Sequence, residues 1–136
     1  VSALALEGIL LESLAELVRS NAEPASSAAP RWLRSTRQWI DSHFLDPLTL
    51  EQIAEVGGVH RVHLSREFRR HFGLTVGDYI RKKRIEHACS LMTSSSASLA
   101  QIAITCGFAD QSHFSSIFRR EMGVTPAKYR EIHHSR

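Results

Sequence analysis

Apolar residues recur at helical spacing along most of the chain, and no alternating apolar and polar pattern extends beyond a few residues. This pattern predicts an all-α fold. The main body begins with a predicted helix in residues 31–44, RWLRSTRQWIDSHF, just after a proline. Its predicted core residues are Trp32, Trp39 and Ile40.

A separate helix is predicted in residues 3–19, with apolar residues around more than half of its circumference, a wider stripe than a surface helix normally buries. Three interpretations stay open. The helix is the last one of a missing sensing or dimerisation domain, a dimerisation helix in its own right, or a helix folded back on the rest of the chain. Residues 20–30, SNAEPASSAAP, have the composition of a flexible linker. Because the chain starts with Val1 rather than Met, we expect it to be part of a longer polypeptide.

The chain contains an internal repeat. Residues 50–59 align with 99–108, and residues 60–79 align with 110–129, with Ala109 as the single extra residue. Thirteen of these thirty aligned positions are identical, which is too many for chance. The repeat predicts two copies of one structural unit.

Each copy is predicted to fold as a helix-turn-helix. A Ser or Thr followed three residues later by Gln predicts a capping box at the start of a short helix, a glycine ends that helix, and a polar cap starts a longer helix. The residues that carry these signals are Thr49, Gln52, Gly58 and His60 in the first copy, and Ser98, Gln101, Gly107 and Asp110 in the second. The predicted division is a first subdomain over 31–74, a long connecting helix over 75–94 and a second subdomain over 95–136.

The longer helix of each copy, 61–72 or 111–122, separates its residues by face. The predicted core stripes are Leu64, Phe68 and Phe72 in the first copy and Phe114, Phe118 and Met122 in the second. The opposite face carries groups that can contact base edges in DNA, because Arg bonds guanine, Gln bonds adenine, Ser bonds either and Val contacts the thymine methyl. A solvated face is the plain alternative, but two matched copies make it the weaker one. The outward-facing residues are Arg61, Val62, Ser65, Arg66 and Arg69 in the first copy, and Gln111, Ser112, Ser115, Ser116 and Arg119 in the second.

The charge distribution points to a polyanionic partner. The formal net charge of +3 combines an acidic start with residues 31–136, which hold sixteen basic and ten acidic residues and so carry +6. Residues 61–84, with eight basic and two acidic residues, supply all six of these excess charges. Within them, the run from Arg81 to Arg84 covers more than one helical turn, so its charges point in different directions. Two interpretations stay open for this run: solvation or pairing with acidic neighbours, or contact of one or two of its members with phosphate.

Several other functions find no support in the sequence. Cys89 and Cys106 are too few for a disulfide framework or a zinc ribbon, and both are predicted to be buried. His60 and His63 lack the further ligands that a metal site needs. No catalytic constellation is present, so we expect neither an enzyme nor a cofactor. No apolar run is long enough to span a bilayer, so we expect no membrane association and a cytoplasmic protein.

The paired motifs, the connecting helix and the closing stretch GFADQSHFSSIFRREMGVTPAKYR resemble the DNA-binding domain of the AraC/XylS family of bacterial transcription regulators. The resemblance covers residues 31–131. It implies that helices 61–72 and 111–122 enter successive major grooves of promoter DNA. The candidate base-contacting residues that it implies are Arg61, Val62, Ser65 and Arg66, and Gln111, Ser112, Ser115 and Ser116. It also implies that four arginines lie near the DNA backbone, namely Arg69, Arg70, Arg119 and Arg120.

The sequence departs from the family pattern at two positions. Ser116 stands where relatives often have Arg, and His60 stands where a small hydroxyl cap is common. The second copy therefore has no long cation among its base-contacting candidates, and we expect the first copy to dominate direct readout. Expected partners beside DNA are RNA polymerase and a second copy of the chain, bound through residues 3–19 or the missing N-terminal domain. The alternative function is a helical interaction module that contacts RNA polymerase without reading DNA.

Overall fold

The computed structural model describes residues 28–133, and all regular secondary structure in that part is helical. The predicted all-α class is therefore confirmed for the described residues. The predicted helix over 3–19 lies outside them, as does most of the predicted linker over 20–30. The helices are α1 (Arg31–His43), α2 (Leu50–Gly57), α3 (Arg61–Phe72), α4 (Val76–Ser94), α5 (Leu99–Thr105), α6 (Gln111–Met122) and α7 (Pro126–His133).

Close packing divides the described residues into two units. Unit 1 comprises residues 28–43 and 48–79, and unit 2 comprises residues 44–47 and 80–133. The predicted connecting helix, α4, contributes its first four residues to unit 1 and the remainder to unit 2. Each unit contains one helix-turn-helix, α2 with α3 in unit 1 and α5 with α6 in unit 2.

Unit 1 has a core built from three helices. Helix α2 lies close to α1 at Gly57. A Cβ added at this glycine would lie only 2.8 Å from Thr36 Oγ1 and 3.2 Å from the Trp32 ring. Glycine at this point therefore permits the contact between the two helices. The core side chains, each at most 3% exposed, are Leu33 and Ile40 from α1, Ile53 and Ala54 from α2, and Leu64 and Phe68 from α3.

The prediction that Trp32 and Trp39 lie in the core is wrong, because both are only half-buried. The buried face of α1 is formed by Leu33, Thr36 and Ile40, which follow one another at helical spacing. The tryptophans flank this face. Trp32 stacks on His63 with 5.3 Å between ring centroids, and Trp39 stacks on His43 at 4.2 Å.

Unit 2 has a larger apolar core, which includes Phe114 and Phe118 as predicted. Met122 was also predicted there, but it is 40% exposed, and Ile117, at 9%, is buried in its place. The reason is geometric: residues four apart drift around the helix, so a row of three at that spacing leaves the packed face. The core residues are Ile85, Ala88, Met92, Ile102, Ala103, Cys106, Phe108, Phe114, Ile117 and Phe118.

Phe72, which aligns with Met122, was also predicted to lie in the core, but it is only half-buried in unit 1. It contacts Phe68 at 4.8 Å between centroids, and the Arg37 guanidinium lies 4.2 Å from its ring centroid. A cation over an aromatic face is an attractive contact. Phe72 therefore lies at the edge of the core rather than inside it.

The predicted local signals at the helix starts are confirmed. Thr49 Oγ1 accepts a hydrogen bond from Gln52 N at 3.2 Å, and Thr49 N donates to Gln52 Oε1 at 2.9 Å. Ser98 and Gln101 form the same reciprocal pair. The turn glycines have positive φ, +68° at Gly58 and +84° at Gly107, a backbone conformation that favours glycine.

Arg84 follows neither interpretation of the basic run. Its guanidinium donates three hydrogen bonds to backbone carbonyls of unit 2: to Phe44 at 2.7 Å, Asp46 at 2.8 Å and Gly107 at 3.1 Å. It thereby ties residues 44–47 and the turn after α5 to α4. Arg84 is a structural residue, and of the four cations from Arg81 to Arg84 only Lys82 is exposed, while the other three are half-buried.

A second arginine closes the other end of α4. Arg130 donates to the carbonyls of Met92 at 3.3 Å, Ser95 at 3.2 Å and Ala97 at 2.6 Å. Carbonyls at a helix C-terminus lack partners within the helix. Arg130 therefore satisfies acceptors at the end of α4 and in the loop that follows it.

Candidate nucleic-acid interface

The second helices of the two motifs, α3 and α6, are built alike. His60 Nδ1 accepts a hydrogen bond from Val62 N at 3.2 Å, and Asp110 Oδ1 accepts one from His113 N at 2.7 Å. Both predicted N-caps are therefore confirmed. Both helices have twelve residues and end at a glycine with a φ of +78°. The N-caps differ in residue type and in the backbone N–H that they bind, but equal length and the same glycine C-cap place matching residues of the two copies at matching points of each motif.

The outward row of α6 is open to solvent. Four of the candidate base-contacting residues belong to it, and only Ser115 among them is half-buried. Arg119 and Arg120 at the end of the helix are also exposed. The exposed members of the candidate row are Gln111, Ser112 and Ser116.

The outward row of α3 is less open. Arg61, Val62 and Ser65 are half-buried, whereas Arg69 is exposed. The side chain of Arg61 is 41% exposed, and its Nε lies 3.9 Å from Glu51 Oε1. An exposed ion pair at this distance contributes little, so it does not prevent Arg61 from binding another acceptor.

Arg66 and Arg70 turn toward a buried carboxylate, that of Glu67. Glu67 is 7% exposed, and the side chains of Arg66 and Arg70 are only 20% and 18% exposed. Glu67 is not among the residues that the sequence motifs predict to be functional. A signal was present, because Glu67 aligns with Ile117, an apolar residue that is buried in unit 2.

His63 adds a ring to this cluster. It bonds to the Arg66 guanidinium through Nδ1 and stacks on Trp32. Burial, followed by the positive charge of Arg66, lowers the pKa of His63, while the Glu67 carboxylate acts in the opposite direction. His60 and His63 thus have separate local roles, and the described residues contain no group of three or more His, Cys, Asp or Glu that could hold a metal ion.

The two thiols differ in burial. Cys106 is fully buried, as predicted, and burial raises its pKa to about 11. The prediction that Cys89 is also buried is wrong, because Cys89 is only half-buried; its pKa is likewise raised, chiefly by burial. A thiol of raised pKa holds little of the reactive thiolate at neutral pH.

The fold defines a class, that of proteins with two helix-turn-helix motifs in one chain. A model of the helix-turn-helix domain family matches residues 53–132, which spans both motifs. The chain belongs to the AraC/XylS family of helix-turn-helix transcription regulators. The predicted family is therefore confirmed. At the level of that family, the predicted function, sequence-specific DNA binding by a transcription regulator, is confirmed as well.

Curated relatives are transcription activators. The chain is 38% identical over 93 residues to the HTH-type transcriptional activator RhaS of Escherichia fergusonii, covering 68% of this chain and 34% of that protein. It is 31% identical over 125 residues to RhaS of Salmonella arizonae, covering 92% of this chain and 45% of that protein. The chain thus spans less than half the length of these relatives.

Solved structures of the same fold include DNA-binding domains. The C-terminal domain of AraT, a response regulator from Geobacillus stearothermophilus, matches with a TM-score of 0.76 and 34% identity, over 79% of this chain and 90% of that one. The DNA-binding domain of AdpA, a global transcriptional factor solved with a target DNA, matches with a TM-score of 0.70 and 27% identity, over 74% and 90% of the two chains. Within residues 28–133, no helix is long and apolar enough to cross a membrane.

Proposed function

We propose that the chain is the DNA-binding part of a bacterial transcription regulator, and that α3 and α6 are its recognition helices, each entering a major groove of promoter DNA and the two occupying successive grooves. The observation that carries this proposal is the exposed polar row of α6 beside a buried apolar face, repeated in outline by α3. A helix of this kind fits the major groove, where each base pair presents a distinct pattern of donors and acceptors.

The two helices offer different chemistry to base edges. Arg61 and Arg66 on α3 suit guanine, and Val62 suits a thymine methyl. On α6, Gln111 suits adenine, and its three serines, Ser112, Ser115 and Ser116, suit several bases. Because Arg forms the commonest specific base contact, α3 contributes the larger share of direct readout.

Sequence-independent affinity comes from cations near the DNA backbone. Arg69, Arg119 and Arg120 are exposed at the ends of the recognition helices, where they can reach phosphates. Arg70 is the fourth proposed backbone contact and is the most enclosed of the set. Each phosphate contact adds affinity that falls as the salt concentration rises.

Selection of bound fragments from random duplex DNA, followed by retardation assays, tests the proposal. Arg66→Ala is expected to cost roughly 1–3 kcal/mol on the selected sequence and to relax the preference at one or two base pairs. Arg69→Ala, on the same helix, is expected to weaken all sequences alike and to reduce the salt slope by about one unit. Equal losses from both variants on selected and random DNA would reject these roles.

RNA polymerase and a second copy of the chain are the further partners of this proposal. Ile104, on α5, has 62% of its surface exposed, the largest value among the exposed large apolar residues of the described part, which makes it the residue to replace in a test for a protein partner. Ile104→Ser is expected to lower promoter activation while leaving DNA retardation unchanged.

Sedimentation with and without residues 3–19 tests dimer formation. Binding to the bacterial chromosome would place the protein in the cytoplasm, at the nucleoid. No enzymatic role is proposed.

A further inference from the structure

Glu67 is a charged residue at an inward-facing position of a recognition helix. The equivalent residue of the second copy, Ile117, is 9% exposed and belongs to the apolar core of unit 2, and Glu67 itself is 7% exposed. A carboxylate at such a position loses its hydration, which is costly unless nearby cations compensate. The position is therefore specialised in the first copy.

Three cationic or titratable groups of the same helix surround the carboxylate. Arg66 Nη2 lies 3.6 Å from Glu67 Oε1, while Arg70 Nη1 and His71 Nε2 lie 3.8 Å and 3.4 Å from Oε2. These distances exceed the roughly 2.7–2.9 Å of a charge-assisted hydrogen bond. The pairs are thus ion pairs that attract both guanidinium groups without occupying their donors fully.

The effect of Glu67 is visible in the exposure of its neighbours. Arg66 and Arg70 have side chains that are 20% and 18% exposed, whereas Arg120, the counterpart of Arg70 in the copy that has Ile117, is exposed. Arg66 Nη2 also bonds His63 Nδ1, so the guanidinium is held both by the ring and by the carboxylate. Arg66 therefore lies in a restrained position, with part of its side chain at the surface where an acceptor outside the protein can reach it.

On the basis of the proposed function, we propose that Glu67 determines the specificity of α3 by positioning Arg66 and Arg70. The carboxylate holds Arg66 in one geometry, from which it bonds a base edge, and it restrains Arg70, whose contact with the DNA backbone forms at the expense of its ion pair with Glu67. A phosphate alone must compete with Glu67 for these arginines. A guanine edge, which accepts two hydrogen bonds from one guanidinium, competes better. The second copy, with Ile117 and Ser116, has no such arrangement.

The test compares Glu67→Ile, which places the residue of the second copy in the first, with Glu67→Gln, which removes only the charge. Affinity is measured on selected and random duplexes at several salt concentrations. Each arginine released to a phosphate steepens the salt slope by about 0.9, which corresponds to roughly eightfold tighter binding of random DNA at ~0.1 M salt. Binding of the selected duplex is expected to change much less, so the ratio of specific to non-specific affinity falls.

Glu55→Gln is the matched control, because Glu55 is exposed on α2 of the same motif and its loss removes the same charge. If Glu55→Gln and the Glu67 variants shift both affinities by the same factor, Glu67 acts only through net charge and the inference is wrong. Thermal unfolding monitors the fold, and Glu67→Gln keeps the test decisive if Glu67→Ile does not fold.

A double variant separates positioning from a merely structural role. Arg66→Ala lowers the specificity ratio in the wild type, but it is expected to lower it little further when Glu67 is already Ile, because Arg66 has then lost its fixed geometry. Independent, additive effects would overturn the inference. If the wild type itself bound selected and random DNA equally, the proposed function would be wrong and the inference would fall with it.

Discussion

Arg84→Ala is expected to destabilise unit 2 strongly. The guanidinium bonds three carbonyls, and the bonds to Phe44 and Gly107 are partly buried, whereas the bond to Asp46 is at the surface. A hydrogen bond to a charged group contributes roughly 1.5–3 kcal/mol net when water cannot replace it. The two partly buried bonds therefore suggest a loss of about 3 kcal/mol or more in the free energy of unfolding, a large part of the ~5–15 kcal/mol that holds an ordinary domain together.

The geometry also predicts how a conservative replacement behaves. The donors of Arg84 form a planar fork that reaches three acceptors at once, whereas the Lys ammonium is a single point on a flexible stem. Arg84→Lys is therefore expected to retain about one of the three bonds and to cost roughly half as much as Arg84→Ala. Charge alone would make Lys an adequate substitute, so the difference between the two variants isolates the fork.

Urea unfolding followed by circular dichroism measures these losses. Lys82→Ala is the control, because Lys82 is exposed on the same helix and its replacement by Ala removes the same positive charge as Arg84→Ala. Its effect is expected to stay within ~0.5 kcal/mol of the wild type, as for most surface substitutions. The reasoning is refuted if Arg84→Ala is no more destabilising than Lys82→Ala, or if Arg84→Lys is as damaging as Arg84→Ala.

Three further predictions follow from single contacts. Gly107→Ala should destabilise the protein by about 1–3 kcal/mol, and by more than Gly123→Ala. Both glycines have positive φ, but only a Cβ added at position 107 would meet other atoms, at 3.0 Å. Equal losses of stability in urea unfolding would contradict this. The pKa of His63 is lowered in the folded state, so below pH 6.5 the unfolded chain binds more protons than the folded chain. The midpoint of unfolding should therefore fall as the pH is lowered from 7.5 to 5.5, and His63→Phe should reduce that fall. Equal dependence on pH in the wild type and in His63→Phe would argue against this. Cys106 is buried and has a pKa of about 11, so in a Cys89→Ser variant it should react with a thiol reagent at pH 8 only as fast as the protein unfolds around it. Rapid labelling of the native state would disprove the burial of Cys106.

Local signals explain why so much of the fold could be predicted. The capping boxes at Thr49 and Ser98 and the turns at Gly58 and Gly107 depend on neighbours within a few residues, so the sequence alone reveals them. The repeat added independent support, since two copies with the same caps and core pattern are unlikely to arise by chance. The outward row of α6 was predicted for the same reason.

Predictions failed where a residue's environment comes from distant parts of the chain. Trp32 and Met122 are large and apolar, yet the face that each helix buries is decided by the helix packed against it. Arg84 belongs to a basic run that suggests solvent or phosphate, but its carbonyl partners lie 23 or more residues away along the chain. Periodicity shows which residues share a face, not what that face meets.

The sequence by itself determined the helices, their caps, the tandem motif and the family, because these depend on short-range spacing and on a repeated pattern. Tertiary structure alone decided which charges are free. It buried Glu67, whose cationic partners are near neighbours on the same helix, and it placed Arg84 against backbone carbonyls far away along the chain while leaving Arg69 and Arg119 exposed. The physical reason is that a charge owes its hydration and partners to atoms packed around it in three dimensions, and the order of residues along the chain does not specify these.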